Sequence, residues 1–170
     1  MTAARKIPVP FVAGSLSEQD THLEIVPVDV AVHLHGRDRL HLHLQVRAGE
    51  IVAASLKGSG CPALLKLMLE TRAKLIGPLH SLPLPTGTDH SAILMRELLL
   101  RARGEWLPPY TEKEICHCRA VSLEKVDHAI VCGAHTAATI ARKTSAGTSC
   151  GTCRSDTEAM IAYRLKYRLT

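Results

Sequence analysis

Between Val28 and Lys57 apolar and polar residues alternate with period two. Val30, Val32 and Leu34 alternate with Ala31, His33 and His35, and after Gly36-Arg37-Asp38 the residues Leu40, Leu42, Leu44 and Val46 alternate with His41, His43 and Gln45. Successive side chains of an extended chain point to opposite faces, so the pattern predicts antiparallel strands with one apolar face. Ala48-Gly49 marks a turn, and Ile51 to Leu56 reads as a third strand. If the first turn pairs His35 with His41, then His33 lies opposite His43 and four imidazoles share the polar face. That placement suits a solvated one-sided sheet; the same imidazoles have the chemistry to take up Fe²⁺, Zn²⁺ or Ni²⁺, or to charge together in mild acid.

A sheet with one apolar face needs a cover. Pro62 to Ile76 supplies Leu64, Leu65, Met68, Leu69 and Leu75, with Pro62 suited to a first helical turn. Pro78, Pro83 and Pro85 break the chain into a loop, and Asp89 can then cap a second helix to about Arg103, with Ile93, Leu94, Leu98 and Leu99 inward. Gly104 to Glu114, with Pro108-Pro109, reads as a linker. Beyond it the alternation stops. Ser122 can cap a helix carrying Leu123, Val126 and Ile130 and ended by Gly133; Thr136 can start another, ended by Gly147; Met160, Ile161, Leu165 and Leu169 mark a last one. The expected fold class is α+β. An extended N-terminal arm (1–27) leads into a three-stranded antiparallel sheet covered by helices (28–103). A linker (104–114) and a small all-helical unit (115–170) follow.

With 170 residues and 46% hydrophobic content the chain can bury a core. Only 3% of residues are aromatic, which removes the stacking platforms of single-strand nucleic-acid binders. The net charge of +5 is spread along the chain, so no nucleic-acid partner is expected. No apolar run is long enough for a membrane span, and Pro8 and Pro10 interrupt the apolar stretch near the N-terminus, which reads as an arm rather than a signal peptide. The expected location is therefore cytoplasmic, where thiols stay reduced and clustered cysteines point to metal. There is no Gly-rich phosphate loop, no G-x-S-x-G and no H-E-x-x-H, so no enzyme is expected.

The unit after the linker is small enough that hydrophobic burial alone is marginal, and it needs a staple. Its cysteines stand where a staple would be: Cys116-His117-Cys118, then 31 residues, then Cys150-Gly151-Thr152-Cys153. Structural zinc takes four thiolates but usually from C-x₂₋₄-C pairs. Two irons, each needing two thiolates, accept a split C-x-C and C-x-x-C pattern, so Cys116, Cys118, Cys150 and Cys153 are candidate [2Fe–2S] ligands. His117 then needs no ligand role. Cys132 has no partner in sequence and reads as core packing, whereas Cys61 precedes a helix whose dipole favours a thiolate.

The residues Cys116-His117-Cys118-Arg119-Ala120-Val121-Ser122 and Ser145-Ala146-Gly147-Thr148-Ser149-Cys150-Gly151-Thr152-Cys153 resemble the bacterioferritin-associated-ferredoxin-like (BFD-like) [2Fe–2S] domain, over about Ile115 to Tyr163. That module also occurs in the centre of NifU-type assembly scaffolds. The order of three strands, Lys57-Gly58-Ser59-Gly60-Cys61 and a helix is similar to the IscU/NifU scaffold domain. Of that family's three scaffold cysteines only the second is present, at Cys61; the others fall at Gly36 and near His90, while Asp38 keeps an acidic position. The resemblance implies a degenerate scaffold site of Asp38, Cys61 and His90, an O/S/N set with room for a single divalent metal. It also implies a NifU-like role in iron–sulfur cluster assembly or delivery. The alternative is an electron-transfer or docking protein whose first unit only binds a partner. Implied partners are assembly proteins such as a cysteine desulfurase, apo-protein clients or a redox partner, with a homodimer also allowed.

Overall fold

The computed structural model describes residues 24–167; the expected N-terminal arm lies almost wholly outside them. Three long strands open the fold: β1 (Val26–Leu34), β2 (Asp38–Arg47) and β3 (Glu50–Ser59). They pair antiparallel in sequence order, and a two-residue β4 (Gly77–Pro78) extends the edge beside β3. The sheet therefore has four strands rather than three. β4 left no alternation to read, because it holds a glycine and a proline, and proline is tolerated only at such an edge.

The β1–β2 ladder ends at Leu34 opposite Asp38, so His35-Gly36-Arg37 forms a three-residue loop with Gly36 at φ +72°. This corrects the expected histidine pairing. His33 lies opposite Arg39, His41 opposite Ala31 and His43 opposite Asp29. The shift moves partners by whole pleats, so His33, His41 and His43 keep the polar face, whereas His35 falls in the loop. Ala48 and Gly49 both take positive φ in the two-residue β2–β3 turn, as that hairpin type demands.

The apolar face buries Val32, Leu34, Leu40, Leu42, Leu44, Val46 and Leu56. It is covered by α1 (Pro62–Arg72) and α2 (His90–Ala102). Pro62 opens α1 as expected, and the Asp89 carboxylate caps α2 by accepting from the Ser91 and Ala92 N–H groups at 3.1 Å. The first helix ends four residues earlier than its apolar pattern suggested. Lys74 to Ile76 unwind toward Gly77 at φ +83°, which buries Leu75 and leaves Ile76 exposed.

Strand β5 (Glu114–Cys116), a 3₁₀ turn (His117–Arg119) and β6 (Val121–Ser122) lead into α3 (Leu123–Val131), α4 (Ala137–Thr144) and α5 (Arg154–Leu165). Ser122 and Thr136 cap α3 and α4 as anticipated. The second unit is not all-helical, because β5 and β6 pair antiparallel just before α3.

Helix α2 is buried on nearly every side, Arg96 and Glu97 included. One side faces the sheet, and the other faces α3 and the end of α5. Arg164 at the end of α5 donates to Glu97 Oε2 at 2.5 Å and to both carboxylate oxygens of Asp127 on α3. Arg96 in turn donates to the Arg164 carbonyl at 3.0 Å. In the stretch after α2, Trp106 lies edge-on to Tyr163 at 5.1 Å and beneath the Arg164 guanidinium at 4.6 Å, while the Leu107 N–H donates to the Tyr163 hydroxyl oxygen. The core runs without a break from Val32 to Leu165.

Candidate metal centres

Two groups of thiol-bearing residues come together, on opposite flanks of α2 in sequence. The first is built by β5, its 3₁₀ turn and the loop before α5. Cys116 ends β5 and Cys118 sits in the turn, while Cys153 stands at the N-cap of α5 with Cys150 in the loop ahead of it. The loop needs positive φ at Ser145, Gly147 and Gly151, and the turn needs it at Ala120. These turns bring the backbone of Gly147 and Arg119 to Cys116 and that of Thr152 to Cys150.

The thiols fall into two pairs, each joining one cysteine of either motif. Cys118 Sγ lies 2.9 Å from Cys150 Sγ, and Cys116 shares a hydrogen bond with Cys153. Cys116 and Cys153 are buried; Cys118 and Cys150 are exposed. Backbone hydrogen bonding from Gly147, and then the Cys153 and Arg119 contacts, pull the Cys116 thiol below its ordinary pKa. Cys150 is brought down to about 7 by its hydrogen bond from Cys118, followed by the Thr152 hydroxyl, which donates to its sulfur at 3.2 Å. The partners move the other way: Cys118 is raised by Cys150, and Cys153 by burial and then Cys116. One thiol of each pair is thus shifted toward easier ionisation, and backbone amides already reach the sulfurs.

Four thiols arranged two and two, with amides aimed at them, fit the ligand demand of a two-iron cluster. His117 stays outside, exposed and 3.5 Å from Glu114. Cys132 caps the end of α3, half-buried, with its Sγ 3.8 Å from His128 Nε2.

The second group is Asp38, Cys61 and His90, whose ligand atoms all lie within 4.8 Å of one another. Asp38 is in phase with Leu40 and Leu42, so the alternation that buries the leucines carries its carboxylate inward, to 1% exposure. Its Oδ1 accepts the Cys61 N–H at 2.9 Å. Its Oδ2 is buried without a hydrogen bond and faces His90 Nε2 at 3.4 Å. Cys61 caps α1, its sulfur accepting the Leu64 N–H at 3.4 Å, and lies 3.2 Å from the same His90 nitrogen. A nucleophile relay uses both imidazole nitrogens, one toward the thiol and one toward the acid. Here one nitrogen meets both, so three donors converge on a point instead.

Two contributors escaped the sequence reading. A Cβ at Gly60 would sit 2.2 Å from Asp38 Oδ1, so only glycine lets the chain pass the carboxylate. Ser91 Oγ stands 3.7 Å from Cys61 Sγ. The Gly58-Ser59-Gly60 run before Cys61 was the available signal for the first; nothing marked the second.

Among the described residues no helix is long and apolar enough to cross a membrane. Residues 114–163 match the family model of the BFD-like [2Fe-2S] binding domain, which brackets all four cysteines of the paired group. The four paired thiols and the family match together support an iron–sulfur protein. No curated protein and no solved structure matches the chain.

Proposed function

We propose that this iron–sulfur protein acts in cluster assembly or delivery, in the manner of a NifU-like protein with a reduced scaffold site. Cys116, Cys118, Cys150 and Cys153 hold the [2Fe–2S] cluster. Asp38, Cys61 and His90 receive a single divalent metal. When bound, the cluster supplies one-electron chemistry and a source of iron and sulfide. The chain's own residues do the positioning: Gly147 and Arg119 amides and the Thr152 hydroxyl steady the sulfurs, and Asp38 orients the Cys61 backbone.

The observation that carries the assembly reading is the buried Asp38 oxygen with no hydrogen bond, facing Cys61 and His90. His90 Nε2 stands 3.4 Å from that oxygen, and a cation between the three donors would satisfy it more fully than this contact does. Partners on this reading are a cysteine desulfurase, apo-protein clients and cytoplasmic assembly proteins.

Cluster transfer to an apo-ferredoxin tests the proposal. Transfer should outpace reconstitution from free iron and sulfide. Cys61→Ser should slow it while leaving the visible spectrum of the four-cysteine cluster unchanged. One observation favours the rival class, an electron-transfer or docking protein: Cys118 and Cys150 are exposed, which would bring a cluster to the surface within reach of a redox partner. Transfer no faster than from free iron and sulfide, together with reversible cycling by a reductase, establishes that rival.

A further inference from the structure

The polar face of the sheet bears histidines that neither thiol group uses. His41 and His43 are already engaged: their imidazoles meet the two oxygens of Asp29 at 2.6 and 3.1 Å. The pair at the hairpin end differs. His33 near the end of β1 and His35 at the start of the hairpin loop stand two residues apart, with ring centroids 5.7 Å apart. Glu124 reaches them from the first turn of α3, across the boundary between the sheet and the helical region. One ligand atom from each of the three lies within 4.8 Å of the other two.

The contact between His35 Nδ1 and Glu124 Oε1 measures 3.8 Å, too long for a hydrogen bond. It is, however, short enough for both atoms to bind one ion placed between them, since metal–nitrogen and metal–oxygen bonds are about 2.0–2.2 Å for zinc-like ions. We propose that His33, His35 and Glu124 form a solvent-facing divalent-metal site that ties the β1–β2 hairpin to α3. Two imidazoles and one carboxylate select borderline ions such as Zn²⁺, Fe²⁺ or Ni²⁺ over Ca²⁺ and Mg²⁺, which prefer oxygen alone. Water completes the coordination, because His35 and Glu124 are 79% and 78% exposed. A crevice of about 500 Å³ between the hairpin, α2 and α3 opens beside the three residues and also presents His128. The site is more open to solvent than the half-buried Asp38 set, and its geometry is independent of whether the protein assembles clusters or passes electrons.

The test uses the full chain, cluster-loaded, in a Cys61→Ser background that disables the other O/S/N set. Zn²⁺ binding is followed by equilibrium dialysis against a competing chelator, with visible circular dichroism of the cluster confirming that each variant is folded and loaded. One Zn²⁺ per chain is expected. Glu124→Gln, and separately the double change His33→Asn with His35→Asn, should each weaken it by about tenfold or more. His41→Asn with His43→Asn should leave it unchanged. Zn²⁺ should also raise the melting temperature, and Glu124→Gln should abolish that rise. Binding indifferent to Glu124→Gln, binding lost in the His41/His43 variant, or no bound Zn²⁺ overturns the proposal.

Discussion

Replacing Arg164 by Met should loosen the sheet and the cluster-bearing region together. The Arg164 guanidinium, 4% exposed, meets Glu97 at 2.5 Å, holds Asp127 and stacks on Trp106. Both carboxylates keep it charged against the opposing effect of burial. Removing one partner of a buried ion pair costs about 3–5 kcal/mol, because the other charge stays behind. Two details place this case at the low end. Asp127 is 24% exposed and can take up water, and Glu97 retains Arg101 at 2.8 Å. The expected loss is thus about 3 kcal/mol. With a urea slope of about 2 kcal/mol/M the midpoint should fall by about 1.5 M, or the melting temperature by about 6–12 °C. Trp106 fluorescence and visible circular dichroism of the loaded cluster should report one shared transition, since the core is continuous. A shift equivalent to less than about 1 kcal/mol, the range of an exposed pair, refutes the reasoning. Two separate transitions refute the continuity.

Gly60→Ala should push the Asp38 carboxylate off the Cys61 N–H, since the new Cβ would stand 2.2 Å from Asp38 Oδ1; a loss of about 1–3 kcal/mol is expected by denaturant titration, with weakened metal uptake at Asp38, Cys61 and His90. In cluster-free protein Cys150 should be alkylated faster at neutral pH than the other cysteines. Its thiol pKa is about 7, so the iodoacetamide rate at Cys150, read by peptide mass analysis, should be half-maximal near that pH. Thr152→Val, or Cys118→Ser, removes part of the thiolate's stabilisation and should move the midpoint upward. A midpoint at the ordinary cysteine value in the parent protein contradicts the geometry of that pair.

How far the sequence could be read depended on the range of the interaction behind each feature. The C-x-C and C-x-x-C motifs are local, and so are the caps at Asp89, Ser122 and Thr136; all of these were visible as residue types at fixed offsets. Period two revealed the faces of the strands but not their register, because sliding a partner by a whole pleat keeps every leucine inward. The three-residue loop at His35-Gly36-Arg37 settles the register, and many residues accommodate such a loop. The all-round burial of α2 was hidden for another reason. Arg96 and Glu97 look like a solvated stripe until Arg164, far along the chain, arrives to meet them. The approach of Glu124 to His33 and His35 is likewise a product of packing between the two regions, which no local pattern encodes.

The same long-range packing links the positions of the two thiol groups. His90, the first residue of α2, completes the Asp38–Cys61 set, and Glu97, two turns further on, anchors Arg164. Arg164 lies near the end of α5, whose N-cap is Cys153. One helix therefore fixes both groups, through a buried charge at one step and through α5 at the next. The stretch between α2 and β5 is held by contacts along its length: Trp106 packs against Tyr163 and Arg164, and the Tyr110 hydroxyl donates to the Glu114 carbonyl at 2.6 Å. A scaffold that passed metal from one group to the other by closing two domains would need that stretch to yield and the Glu97–Arg164 pair to break. On the proposed assembly role, with those contacts intact, the movement falls to the partner. A client or reductase would then approach the exposed side at Cys118 and Cys150, and a metal donor the half-buried edge at Cys61 and His90. On that reading, binding at one face leaves the other open.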